Sequence, residues 1–295
     1  MRLSQFVAAL AICALAGGCG EVVTGPIRTF EPGGVDAPVL LAAGDIANCS
    51  TQGDEQTADL IATQEGTVLT LGDNAYERGS PAEFVNCYHP SWGRHRARTA
   101  PSPGNHDYRT ADAVGYFAYF GANAGHPDRG YYSFDLASWH IVSLNSNVDM
   151  EPGSEQERWL REDLAANQTH CTLAYWHHPR FSSGRHGNSD HSEGVVQTLY
   201  ELGADVVLTG HDHHYERFVP TNPSGQPEPG GLVHFVVGTG GTSLRSVGST
   251  LSTSAAMIDD SWGVLRLTLA DSSYTHEFLP VGGGEASDSG SADCR

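Results

Sequence analysis

Positive charge is scarce in this chain. Lys and Arg together number 16 against 35 Asp and Glu, a formal net charge of -19 at pH 7. That balance excludes nucleic acid as a partner, because its phosphates require clustered Lys and Arg. It also offers no basic patch to an anionic membrane surface. A small anionic substrate would need a local positive centre, such as a bound metal, to overcome the global field. Long apolar runs are missing as well: the one near the N-terminus, Phe6 to Ala16, is too short for a comfortable membrane span. The 6 cysteines show no CxxC spacing of a zinc site. No internal repeat is present. The glycine-rich "VVGTGGTSL" at 236–244 lacks a following Lys and the Gly-x-Gly-x-x-Gly spacing, so it reads as a strand-end turn.

What the chain does have begins with an export signal. Arg2 precedes the apolar run and small residues follow it, which marks residues 1–18 as a signal peptide. Ala14 and Ala16 permit cleavage after Ala16. The "LAGGC" ending at Cys19 also resembles a bacterial lipoprotein box, in which Cys19 becomes the lipidated first residue and anchors the chain to a membrane. The expected location is therefore outside the cytoplasm: secreted, periplasmic, or held at the cell envelope as a lipoprotein. Residues 19–37 read as a Gly- and Pro-rich tether, 38–280 as one domain, and 281–295 as a small, polar, disordered tail. Export permits disulfides. With Cys13 and Cys19 in the leader region, Cys49, Cys87, Cys171 and Cys294 remain, and four cysteines allow three connectivities. Cys49 and Cys87 each follow an Asn shortly after a motif described below, which favours that pair.

Short apolar segments bounded by turn residues predict strands at 39–45, 67–73, 139–146, 172–178, 205–211, 233–241, 263–270 and 274–280. Helical patterns separate several of them: "DEQTADLIATQE" after the first, "SEQERWLREDLAAN" (154–167) before the fourth, "SEGVVQTLYELG" (192–203) before the fifth. Ser154 and Glu157 form a capping-box pattern, and Trp159, Leu160 and Leu164 give that helix an apolar face. Strands alternating with helices, then a run of strands, predict an α/β sandwich of two packed sheets. Four strands end on a polar residue: Asp45, Asp73, His177 and His211. In α/β folds, ligands sit at the carboxyl ends of strands.

The loops at those ends carry more. "LGDNAY" adds Tyr76, "PGNHDY" offers Asn105, His106 and Asp107, "YWHHP" adds His178, and "GHDHHY" adds His213 and His214. Singly, each has an ordinary explanation as a turn, a helix cap or a packed aromatic. Jointly they supply carboxylates, an amide, imidazoles and a phenol, a donor set that suits Fe, Mn or Zn. His211 and His213, two apart on an extended segment, would point into one cluster while His214 points away.

The ordered set "GD", "GDxxY", "GNHD", "WHHP" and "GHDH" resembles the calcineurin-like metallophosphoesterases, and within them the purple acid phosphatases, from about Val39 to Pro280. The resemblance implies a four-layer α/β/β/α sandwich with two mixed sheets, and a hydrolase of phosphoric ester bonds acting on a small phosphorylated substrate. In the wider superfamily the first motif is Asp-x-His; here Ala47 stands in place of the His, and Tyr76 matches the tyrosinate ligand of ferric iron in purple acid phosphatases. Carried over by motif, Asp45, Asp73, Tyr76 and His213 would hold Fe(III). Asp73 would bridge to a divalent Fe, Zn or Mn held by Asn105, His177 and His211. Two carboxylates, a phenolate and a bridging hydroxide then leave about one positive charge on the pair of ions, enough to attract a phosphate dianion. The implied reaction is phosphomonoester hydrolysis, in which a metal-bound hydroxide attacks in line. His106 would stabilise the transition state or protonate the leaving alkoxide, with Asp107 orienting it. His186, nine residues after His177 in a Gly-Ser loop, matches the spacing at which family members place a substrate-contacting histidine. Arg180 and Arg185 lie within reach. Two departures stand out: the short tether leaves no room for the N-terminal fibronectin-like domain of plant-type members, and the third motif ends in Asp107 where Glu is usual. The pattern looks like a small single-domain bacterial relative.

Two rival functions use the same residues. One is a phosphodiesterase or nucleotidase with the same dinuclear site. The other is a non-catalytic exported module whose metal is structural. His106 speaks against the second, because a structural site closes its coordination and needs no acid beside it.

Overall fold

The computed structural model describes residues 37–282 and 288–295; the expected signal peptide and all but Ala37 of the expected tether lie outside the described residues. The strands are β1 (Val39–Ala43), β2 (Thr67–Leu71), β3 (Thr99–Ser102), β4 (Tyr132–Leu136), β5 (Trp139–Ser143), β6 (Cys171–Tyr175) and β7 (Val206–Thr209). They continue with β8 (Tyr215–Phe218), β9 (Val233–Val237), β10 (Ser254–Ile258), β11 (Gly263–Leu269), β12 (Ser273–Pro280) and β13 (Ser289–Asp293). One sheet of 6 runs β13-β12-β11-β1-β2-β3, and a second of 7 runs β10-β8-β9-β7-β6-β5-β4. Both are mixed. β1, β2 and β3 are parallel while β1 meets β11 antiparallel. In the second sheet β5, β6, β7 and β9 are parallel and β4 and β8 join antiparallel.

The parallel strands are apolar on both faces, as burial on both sides requires. Successive residues divide between two cores, following the period of two along a strand. Ile141, Leu173 and Val206 join Leu40, Val68 and Leu265 between the sheets. Val142, Ala174 and Val207 face outward against Leu160, Val195 and Leu199, which come from the helices Glu155–Ala166 and Glu193–Glu201. Trp159 and Leu164 pack at the margin of that layer. On the opposite side the helix Gly53–Ala62 lies against β11 with Ala58 and Ile61 buried. The result is the expected α/β/β/α order. Ser154 caps its helix by accepting the Glu157 N–H at 3.1 Å, but the Glu157 carboxylate turns back to the Gly153 N–H at 3.1 Å, so the box is only half formed. Among the described residues no helix is long and apolar enough to cross a membrane.

One expectation fails here. The segment 281–295 is not a disordered tail over its described part. β13 pairs antiparallel with β12, and the Asp288 carboxylate accepts hydrogen bonds from the Tyr215 hydroxyl at 2.6 Å and from Arg217 at 2.8 and 2.9 Å. Cys294 is disulfide-bonded to Cys171, with Cα atoms 5.6 Å apart. Backbone pairing and a covalent tie hold a segment whose small polar side chains give no burial signal. The second disulfide is Cys49–Cys87, Cα atoms 4.9 Å apart, the pair favoured above.

Candidate metal centre

Three strand ends place their polar residues with unusual backbone. Asp45, Asp73 and His211 have φ of 60°, 49° and 72°, left-handed values that Asp and His tolerate better than most residues. Such conformations cost about 1–3 kcal/mol each and persist where the surroundings over-determine them. The surroundings do so here. Gly104 runs so close to Asp73 that a Cβ would lie 2.1 Å from the Asp73 nitrogen. The Asp45 Oδ2 accepts the His211 N–H at 2.7 Å, and the Asp73 Oδ1 accepts the His106 N–H at 2.7 Å.

The side chains converge in two groups. In one, the Tyr76 hydroxyl donates to Asp45 Oδ1 at 2.7 Å, and His213 Nε2 lies 3.3 Å from that oxygen and 3.4 Å from the hydroxyl. In the other, His177 Nε2 lies 3.1 Å from Asn105 Oδ1 and 3.2 Å from His211 Nδ1. Asp73 Oδ2 touches both groups, 3.0 Å from the Tyr76 hydroxyl and 3.3 Å from His177 Nε2. All seven residues carried over as ligands thus meet at one place.

Backbone carbonyls set the histidine tautomers. His177 Nδ1 donates to the Leu71 carbonyl at 2.8 Å and His213 Nδ1 to the Ser243 carbonyl at 2.6 Å. The neutral rings therefore present Nε2 lone pairs to carboxylate and amide oxygens. Apart from the Tyr76 hydroxyl proton, acceptors here face acceptors, the arrangement a cation completes. Without one, protons substitute. Burial works against charge on His177, but Asp73 and Asp45 push it up to about 9. Burial and the His177 charge drive His211 down to about 2. Burial and the two carboxylates hold the Tyr76 phenol well above its ordinary range, so a phenolate there requires a cation.

The remaining candidates divide. His106 is oriented, but not by Asp107. Its Nδ1 donates to the Glu77 carbonyl at 2.8 Å, and its ring lies 4.3 Å from that of Tyr76, with Nε2 3.9 Å from Asp73 Oδ2. Asp107 is fully buried and instead accepts the Gly104 N–H at 2.9 Å and both Asn74 donors, the N–H at 3.2 Å and Nδ2 at 2.9 Å. Burial and the Asp73 charge push it up to about 7. It clamps the loop rather than the imidazole. His186 is partly exposed and stacks on His211, ring centroids 4.1 Å apart. Arg180 is buried and paired with Asp190, which takes it out of the site. The reason given for His211 and His213 sharing a face also needs correction. Residues 210–214 are not extended: Asp212 N–H bonds to the Gly210 carbonyl at 2.9 Å and His214 N–H to that of Asp212 at 2.8 Å. Two tight turns, not strand alternation, aim both rings inward, while His214 meets Glu216 at 3.2 Å.

Three contributors left no mark in the sequence. The Leu71, Glu77 and Ser243 carbonyls are invisible to any side-chain pattern. Ala47 bridges Ala75 and its carbonyl accepts the Tyr76 N–H at 2.8 Å, so the position that lacks a histidine seats the tyrosine. His178, beside His177 in "WHHP", bonds Ser146 at 2.8 Å, and burial with the His177 charge lowers it to about 3.

Comparison with known proteins follows the same line. The calcineurin-like phosphoesterase family model matches residues 36–215. Purple acid phosphatase 18 of Arabidopsis thaliana is 35% identical over 117 residues, covering 38% of this chain and 26% of that protein. Purple acid phosphatase 22 of the same plant is 32% identical over 158 residues, covering 50% of this chain and 36% of that protein. The chain thus spans about a quarter to a third of the length of these curated relatives. The solved purple acid phosphatase PPD1 from yellow lupin (Lupinus luteus) seeds shares the fold with a TM-score of 0.73 at 18% identity, over 89% of this chain and 55% of that one.

Proposed function

The chain belongs to the calcineurin-like phosphoesterase family, in its purple acid phosphatase-like branch, and from that premise we propose that it is an exported phosphatase hydrolysing phosphomonoesters at a dinuclear metal centre. The observation that carries this reading is the meeting of seven acceptor-bearing side chains in two groups that share Asp73, with the His106 Nε2 beside them. Asp45, Tyr76, His213 and Asp73 would hold Fe(III), the ion that a phenolate and carboxylates suit; Asn105, His177, His211 and Asp73 would hold divalent Fe, Zn or Mn. Bound there, such ions would supply positive charge for the phosphoryl oxygens and the chemistry of water activation.

The chain's own residues do the rest. His106 has Nδ1–H fixed on the Glu77 carbonyl, so Nε2 faces the centre and, when the ring carries a second proton there as imidazolium, is the atom that would pass it to the leaving oxygen. His186 reaches over His211 and offers an imidazole nitrogen to a phosphoryl oxygen. Asp73 couples the two groups, so its loss disrupts both. Export is supported by the two disulfides, which form in oxidising compartments. The test is hydrolysis of p-nitrophenyl phosphate and of bis-p-nitrophenyl phosphate by the purified chain, with metal analysis on the same sample. Faster turnover of the monoester with two ions per chain is expected. Preference for the diester would replace the phosphatase reading with a phosphodiesterase one.

A further inference from the structure

Besides Asp107, two acidic side chains beside the centre are sealed from water and belong to neither ligand group: Asp212 is 1% exposed and Glu216 0%. A buried carboxylate is costly unless its lone pairs are used. Asp212 uses its own on one loop, and Glu216 divides its own between that loop and His214. Asp212 Oδ2 accepts the Ser182 hydroxyl at 2.6 Å; Oδ1 accepts the His186 N–H at 3.1 Å and the His186 Nδ1–H at 2.9 Å. Glu216 accepts the Ser183 N–H at 2.9 Å and the Ser183 hydroxyl at 2.5 Å. Gly184 crosses the Asp212 carboxylate so closely that a Cβ would lie 2.3 Å from its Cγ, so a side chain is sterically barred there.

The placement of Asp212 gives the clasp its consequence. It lies between His211 and His213, whose rings turn into the centre while its own side chain turns to the loop. The carboxylate takes Nδ1 of His186, which leaves Nε2 for a substrate, and the ring is seated on that of His211, tilted by 29°. We propose that Asp212 is a positioning residue: together with Glu216 it clasps Ser182–His186 and holds His186 over the dinuclear centre as the contact for the substrate's phosphoryl group.

This rests on the phosphatase reading, and the experiment separates the two. The Asp212→Asn variant of the full chain keeps the volume but sets an amide N–H2 against the loop's donors. With metal content matched to wild type, KM for p-nitrophenyl phosphate and Ki for inorganic phosphate are expected to rise about tenfold or more, with a smaller change in kcat. In a His186→Ala background the same substitution is expected to change KM by less than about twofold, because coupled residues do not add. Ser182→Ala, which removes one hydroxyl donor, is expected to shift KM in the same direction by less. Equal penalties with and without His186, or an unchanged KM in Asp212→Asn, would overturn the proposal. Hydrogen exchange of the metal-free protein reads the clasp without turnover: faster exchange across residues 183–186 in Asp212→Asn supports it, and unchanged exchange overturns it. A wild-type chain that hydrolyses no phosphoester removes the phosphatase reading and leaves the exchange result to decide the clasp.

Discussion

His106 and Asp107 are neighbours in sequence with opposite tasks, and the difference lies in what each can reach. The imidazole edges the centre with its Nδ1 on a backbone carbonyl, whereas the carboxylate is folded under the loop against three donors. His106→Ala is expected to lower kcat by about 10²–10⁴ with metal content unchanged. Asp107→Ala leaves buried N–H groups of Gly104 and Asn74 without an acceptor, so its main effect is a stability loss of about 1–3 kcal/mol, read by denaturant unfolding, with kcat much less affected. A collapse of kcat in a stable Asp107→Ala protein would restore the orienting role to the carboxylate. At this scale the sequence was legible where chemistry resides in side chains: Asp45, Asp73, Tyr76 and the histidines announce themselves by type and by strand-end position. The tautomers are fixed by the Leu71, Glu77 and Ser243 carbonyls, which every residue carries, so nothing in the sequence singles them out.

Among elements, the division between legible and hidden strands follows position in the sheet. The eight expected strands are all present, and all eight are interior. Of the five others, β3, β4, β10 and β13 are the four sheet edges, and only β8 is interior. Edge strands can be short and polar and tolerate proline. β3 reads "TAPS" and β13 "SGSAD", patterns without an apolar signal. β8 is four residues long and carries Glu216 and Arg217, which pair with Ser183 and Asp288, far off in sequence. A second polar feature lies on β5, where buried His140 bonds Asp135 at 2.7 Å and Asp163 at 2.8 Å. Burial opposes its charge, but the two carboxylates raise it above the ordinary 6.5. A raised value means the folded state binds the proton more tightly. The stabilisation is thus complete below the unfolded value and disappears as pH rises through the folded one. His140→Gln is therefore expected to flatten the fall in unfolding free energy as pH rises from about 6.5, measured by urea titration at several pH values. An equal slope in wild type and variant would assign that fall to other groups.

For the whole molecule, charge and chemistry point in opposite directions. A net charge of -19 repels a phosphate dianion, and all 16 positive side chains are Arg. For the proposed phosphatase, attraction must come from the centre itself. Raising ionic strength from about 0.01 M to 0.15 M shortens the Debye length from about 30 Å to about 8 Å, screening the distant carboxylates more than the ions at contact. KM for a phosphomonoester is accordingly expected to fall as salt is added, measured by steady-state kinetics. A KM that rises would show that surface arginines, not the centre, draw the substrate in. In the proposed centre, Tyr76 lies on iron as a phenolate within the seven-residue ligand set. The most direct test is the visible spectrum of the iron-loaded chain beside that of Tyr76→Phe at matched iron content. A tyrosinate-to-iron band in the wild type that vanishes in the variant is the expected result. A colourless iron-loaded wild type, or the same band in both proteins, would contradict it.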